Sequence, residues 1–198
     1  MSIHFRPASR TLFNTPLVSA ALRAVSARML RILGWRIEGH FPADLHKAVV
    51  IGAPHTSNWD LPYMLMLAFA IGRPVHWLGK VQLFRFPFGG VMRWLGGVPV
   101  DRSRSNNLVE AAIACFRAAG EPFFLVVPPE GTRSKVREWK TGFYYIAHGA
   151  GVPIVMAYMD HGCREASVAA LFQPSGDIES DMKRIRAFYA PFKGKNPD

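Results

Sequence analysis

The feature that most constrains this chain is a change of period. Up to Gly39 the apolar residues fall at helical spacing, and beyond it short β-like runs alternate with helical stretches. Ala48–Ile51, Val75–Leu78, Val98–Val100, Phe123–Val127, Val152–Met159 and Ala166–Leu171 read as strands. Between and after them, helical patterns cover Leu61–Ile71, Phe88–Leu95, Asn106–Ala119, Thr141–His148 and Ile178–Tyr189. This alternation predicts an α/β fold: a single domain with a mainly parallel or mixed central sheet flanked by helices. A chain of 198 residues buries enough of its surface to need no staple.

From Thr15 to Arg36, the residues Val18, Leu22, Val25, Met29 and Ile32 or Leu33 recur at helical spacing, with Arg23, Ala27 and Arg31 on another side. They predict a basic amphipathic helix ahead of the domain. Residues 1–40 hold six Arg against one Glu, a net of +5, half of the +10 carried by the whole chain. Two compatible readings stay open: a helix packed on its own domain with solvated arginines, and a helix lying on an anionic membrane surface. The expected organisation is thus a basic helical segment over 1–40, the α/β domain over 41–192, and a frayed tail over 193–198.

Lys and Arg outnumber Asp and Glu by 24 to 14, which favours an anionic partner such as nucleic acid, a phosphorylated metabolite or acidic lipid. A hydrophobic content of 49% argues against nucleic acid, as does the lack of a recognition motif, zinc-finger spacing or basic-aromatic platform. A membrane surface moves ahead. The longest apolar stretch, Leu61 to Ile71, is about half the ~20 residues needed to span a bilayer, and arginines interrupt any secretory signal. Cys115 and Cys163 stand far apart, which excludes a disulfide framework and a cysteine-rich zinc site. Reduced thiols suit a cytoplasmic setting, so the expected location is peripheral, on the cytoplasmic face of a membrane.

Three constellations could carry chemistry. His55-Thr56-Ser57-Asn58-Trp59-Asp60 lies where a strand gives way to a helix with Pro62 in its first turn. Five positions are too far round for one helix face, so His55 is expected just before the helix, folded back onto Asp60. The carboxylate would hold one imidazole nitrogen and leave the other free as a base. The plainer alternative makes Asp60 a helix cap and His55 a loop residue. The second constellation, Pro129-Glu130-Gly131-Thr132-Arg133-Ser134, follows a strand. Arg133 suits bidentate phosphate binding and Glu130 suits hydroxyl groups, although a Glu-Gly turn with solvated charges is an ordinary feature. The third sets Arg102, in Gly97-Val98-Pro99-Val100-Asp101-Arg102, beside Lys80 if the fold joins them; each alone reads as a surface cation.

Together these residues resemble the glycerolipid acyltransferases typified by 1-acyl-sn-glycerol-3-phosphate acyltransferase. The ordered blocks appear as HTSNWD, GGVPVDR, PPEGTR followed by WKTG, and GVPIV, covering roughly residues 48–157. HxxxxD alone is weak; followed about seventy residues later by PEGTR it is specific. The resemblance implies an acyltransferase domain over 41–192, with an acyl-CoA or acyl-carrier-protein donor and a lysophospholipid or glycerol-phosphate-type acceptor. It implies no metal and no cofactor beyond the donor. It makes His55 and Asp60 the catalytic dyad and carries Arg102, Glu130, Gly131 and Arg133 to the acceptor phosphate site, with Lys80 beside them. Ala53-Pro54 before His55 and Pro128 before Pro129 depart from the usual pattern and bear on the acceptor, which could lack a phosphate. Two other classes fit the same residues: a non-catalytic basic lipid-binding module, and a hydrolase whose dyad activates water.

Overall fold

Gly34 decides where the first helix stops. Helix α1 spans Pro16–Ile32, and Gly34 beyond it takes φ +78, a region open to glycine. Gly34 N–H then donates to Arg31 O at 3.0 Å and Trp35 N–H to Leu30 O at 2.8 Å, which satisfies carbonyls the helix would leave bare. The Trp35 ring packs on buried Leu30. The helix therefore ends short of Arg36, and Arg36–Glu38 form a first strand, β1, at a sheet edge. Its three exposed residues offer no alternation, so this strand leaves no periodic trace in the sequence.

The computed structural model describes residues 7–8, 10–39, 41–100, 105–120, 122–131 and 138–196. Six further strands follow: β2 (Lys47–Gly52), β3 (His76–Lys80), β4 (Gly97–Val100), β5 (Phe123–Val126), β6 (Ile154–Asp160) and β7 (Glu165–Phe172). They form one seven-stranded sheet in the order β1-β7-β6-β2-β5-β3-β4. All neighbours are parallel except β6 and β7, which are joined by a short turn and pair antiparallel. The expected mixed α/β sheet is thus observed. Strand β6 starts at Ile154, two residues later than its apolar run, because Val152 N–H closes the preceding helix on Ala147 O.

The remaining helices are α2 (Asp60–Ile71), α3 (Gly89–Trp94), α4 (Ser105–Ala118), α5 (Gly142–Ala150) and α6 (Ile178–Tyr189). Period-two alternation in β2 sends Val49 and Ile51 to one face, under Phe116 of α4, Phe143 and Ile146 of α5, and Ile185 of α6. Ala48 and Val50 face the other side, under Ala68 and Met64 of α2 and Phe84 of the β3–β4 connection. Connections toward the β4 edge cover one face and those running back cover the other, as right-handed crossovers require.

Helix α1 packs along α2 with Ser26 and Leu30 buried and Val18 and Leu22 half-buried on the same face, so the stripe read from its sequence is divided between that face and solvent. Small Ser26 permits close approach, whereas Val25, Met29 and Ile32 stay 57%, 43% and 70% exposed. Arg23, Arg28 and Arg31 are exposed as well. Among the described residues no helix is long and apolar enough to cross a membrane.

Candidate active site

Parallel strands align their C-terminal ends, and in open α/β sheets that edge is where ligands bind. β2 runs out at Gly52, and after Ala53-Pro54 the chain turns at His55 before α2 begins at Asp60. His55 Nδ1 lies 3.0 Å from Asp60 Oδ2. The same oxygen accepts from Thr56 N–H at 2.9 Å and Ser57 N–H at 2.8 Å. These donors fix the carboxylate, and an acceptor at Nδ1 places the imidazole proton there, leaving Nε2 as the free base nitrogen. Burial pushes the Asp60 pKa up, but the hydrogen bonds from His55, Ser57 and Thr56 outweigh it and hold the carboxyl below its ordinary value. His55 does fold back onto Asp60, and Asp60 gathers the turn before its helix.

Glu130 follows β5 in the turn Pro128 to Gly131, closed by Gly131 N–H to Pro128 O at 3.2 Å. Its buried carboxylate accepts His55 N–H at 2.7 Å. One carboxylate oxygen expected to meet an acceptor hydroxyl is therefore already held by the backbone N–H of His55. Burial raises the Glu130 pKa and nearby Asp60 adds to this, while the His55 N–H opposes it. Gly131 takes φ +66, a backbone region that favours glycine, and a Cβ there would push the flexible Lys140 side chain aside from 2.9 Å.

Lys80 ends β3 opposite Val100 of β4, so the chain leaving β4 starts beside it. Arg102 and Arg133 lie outside the described residues. Lys80, Gly131, His55 and Asp60 all line one cavity of about 520 Å³. Much of its lining is apolar: Val50, Trp77 and Val126 from the sheet, Leu61, Met64 and Leu67 from α2, and the exposed Leu83 after β3. A cavity lined by both polar and apolar side chains suits a ligand with a reactive head and a hydrocarbon tail.

Three contributors carried no sequence signal, because each meets the site from far along the chain. His161, just past β6, faces the second Asp60 oxygen, with Nε2 3.8 Å from Oδ1. Asn196 donates its N–H to Thr56 Oγ1 at 3.1 Å and its Nδ2–H to Thr56 O at 3.0 Å. Tyr189 sets its hydroxyl 3.0 Å from Ile51 O and 2.9 Å from Ala157 O, bracing β2 against β6 beneath the site. Cys115, by contrast, is buried in the core, and burial raises its thiol to about 11, which leaves it a poor nucleophile. Cys163 is exposed.

A family model for acyltransferases matches residues 36–160. The 1-acyl-sn-glycerol-3-phosphate acyltransferase of Salmonella typhimurium is 32% identical over 138 residues, which are 65% of this chain and 54% of that protein. The enzyme of the same name from Haemophilus influenzae is 29% identical over 136 residues, 65% of this chain and 55% of that one. This chain therefore matches about half the length of these relatives. In fold it is similar to the crystal structure of the 1-acyl-sn-glycerophosphate acyltransferase of Thermotoga maritima. The TM-score is 0.62 at 21% identity, over 86% of this chain and 76% of that one. The family match runs from β1 to the last residue of β6 and takes in the His55–Asp60 pair and the Glu130 turn, so this chain belongs to the acyltransferase family.

Proposed function

We propose that this chain is an O-acyltransferase that moves a fatty acyl group from a thioester, acyl-CoA or acyl-carrier protein, to the free hydroxyl of a 1-acylglycerol-3-phosphate-type lysolipid. The observation that carries this reading is the 3.0 Å His55–Asp60 contact in the lining of a largely apolar cavity. The names of the similar proteins favour the same acceptor.

In the proposed reaction, His55 Nε2 takes the proton of the acceptor hydroxyl as that oxygen attacks the thioester carbonyl. Asp60 stabilises the imidazolium that forms. The tetrahedral intermediate then expels the thiolate, the imidazolium returns its proton to the sulfur, and an ester and a free thiol result. Glu130 holds the backbone of the base in place. Lys80, with Arg102 and Arg133, supplies positive charge for the acceptor phosphate, and the apolar wall receives an acyl chain.

Access to such substrates favours a seat on the membrane surface. Beside the cavity residue Leu83, the loop and helix after β3 expose Phe86 (97%) and Phe88 (65%), with Arg85 nearby. Together with the exposed Val25, Met29 and Ile32 of α1, these residues suit the interface of an anionic bilayer.

Incubation with labelled acyl-CoA and acyl-carrier protein against a panel of lysolipids, read by mass spectrometry, tests the reading. Acylated 1-acylglycerol-3-phosphate is the expected product. Free fatty acid alone would assign a hydrolase, acylation only of phosphate-free lysolipids would move the acceptor, and no turnover would leave a binding module.

A further inference from the structure

Asp60 has two carboxylate oxygens, and they are served unequally. Oδ2 gathers three donors, from His55, Thr56 and Ser57. Oδ1 faces His161 Nε2 at 3.8 Å, just beyond hydrogen-bond reach. The His161 ring is held without using Nε2. Its edges meet Trp35 (centroids 4.9 Å apart, 88° between planes) and Tyr63 (5.9 Å, 82°), and its backbone N–H donates to Lys193 O at 2.9 Å. Behind the ring lies a second cavity of about 490 Å³, lined also by Arg164 and Lys195.

We infer that His161 is a positioning residue for the catalytic carboxylate: its Nε2–H closes on Asp60 Oδ1 in the working complex and keeps Oδ2 aimed at His55. The inference rests on the dyad reading above. A carboxylate held through one oxygen can still tilt about that oxygen, and a donor on the other removes the tilt. Hydrogen bonds of this kind are often long in unliganded sites and shorten with substrate in place. The groups facing His161 are Asp60 and Tyr63 from α2, Asp160 before it, Arg164 after it, and Lys195 from the C-terminal segment. Burial lowers the histidine pKa against the opposing pull of Asp60, which favours a neutral ring with a proton to donate.

Three single variants and one combination test this. His161→Phe keeps an aromatic ring against Trp35 and Tyr63 but loses the donor, whereas His161→Gln places an amide N–H near the Nε2 position. The expected result is a kcat loss of ~10-fold for the Phe variant, with both substrate KM values held, and recovery of most of that loss in the Gln variant. In an Asp60→Asn background the Phe substitution should cost nothing further, because it acts through the carboxylate. Thermal unfolding of each variant shows whether the fold survives; if the Phe variant does not fold, His161→Asn, whose amide is too short to reach, takes its place. Equal losses in the donor and non-donor variants, no loss in either, or a full additional loss on Asp60→Asn would overturn the inference. His55→Ala, assayed alongside, separates the two levels: if it stays active the dyad reading fails, and if it is dead while the His161 variants are intact only this inference fails.

Discussion

His55 and Glu130 lie 75 residues apart and are joined by a 2.7 Å hydrogen bond from the His55 backbone N–H to a buried carboxylate. The two strand-end loops that carry the family blocks are thereby closed on each other. This separates two roles for Glu130 that sequence alone leaves merged. A residue binding the acceptor hydroxyl governs KM, whereas one holding the base in place governs kcat. Glu130→Ala is expected to cut kcat at least ~10-fold with little change in acceptor KM. It should also destabilise the fold by ~1–3 kcal/mol, the cost of a buried N–H without its partner. Glu130→Gln keeps an acceptor oxygen and should retain most of both. A rise confined to acceptor KM would return Glu130 to the substrate.

The dyad makes a sharper demand. His55→Ala should lower turnover by at least ~10²–10⁴-fold, the usual contribution of a general base, while thermal unfolding stays near that of the unmodified protein. Asp60→Asn should be comparably damaging, because the amide can present its NH₂ to Nδ1 and unset the tautomer. A His55→Ala enzyme keeping more than about a tenth of its rate would remove His55 from the chemistry.

The parts of this protein that could be read from sequence are those built from local pattern. The apolar runs located strands β2 to β7, and α6 falls on Ile178–Tyr189 as its spacing indicates. HTSNWD at a strand-to-helix junction was enough to fold His55 back onto Asp60. What could not be read depends on long-range meeting. Glu130 has no local feature that distinguishes a substrate ligand from a brace for His55. Tyr189 and Asn196 reach the site only because α6 and the segment after it return across β2 and β6, and His161 because β6 pairs beside β2. The apolar stripe of α1 located the helix but left its partner open, because periodicity reports which residues share a side, not whether that side meets protein or something else.

His76 provides a handle on acid stability away from the site. It opens β3 beside Phe123, and its Nδ1 is buried with no hydrogen-bond partner among the described residues. Burial pushes its pKa down from 6.5 to about 4. The unfolded chain therefore takes up a proton that the folded chain refuses as pH falls from 6.5 toward 4. Stability is unaffected by His76 above that window and declines through it, by ~2–3 kcal/mol at pH 4.5. Urea unfolding at pH 7 and 4.5 should show His76→Leu losing less stability than the unmodified protein by about that amount. Equal losses in the two proteins would mean that His76 is protonated in the fold.

Membrane contact can be divided between two surfaces. The α1 surface offers Arg23, Arg28 and Arg31 beside exposed Val25, Met29 and Ile32, and the β3–β4 connection offers Phe86 and Phe88. Charge and insertion respond differently to conditions. Each Arg near an anionic surface contributes ~1 kcal/mol that salt screens, whereas a Phe side chain moved out of water contributes ~1.5–3 kcal/mol that salt leaves largely intact. A triple Arg→Glu variant of α1 should float off vesicles containing acidic lipid and behave like the unmodified protein in high salt. A Phe86→Ser, Phe88→Ser variant should bind more weakly at every salt concentration, on neutral vesicles as well. Neither change touches His55 or Asp60, so turnover of a short-chain, water-soluble acceptor should survive in both. If both variants sediment with acidic vesicles as the unmodified protein does, these surfaces are merely solvated and the protein binds the vesicles by another face.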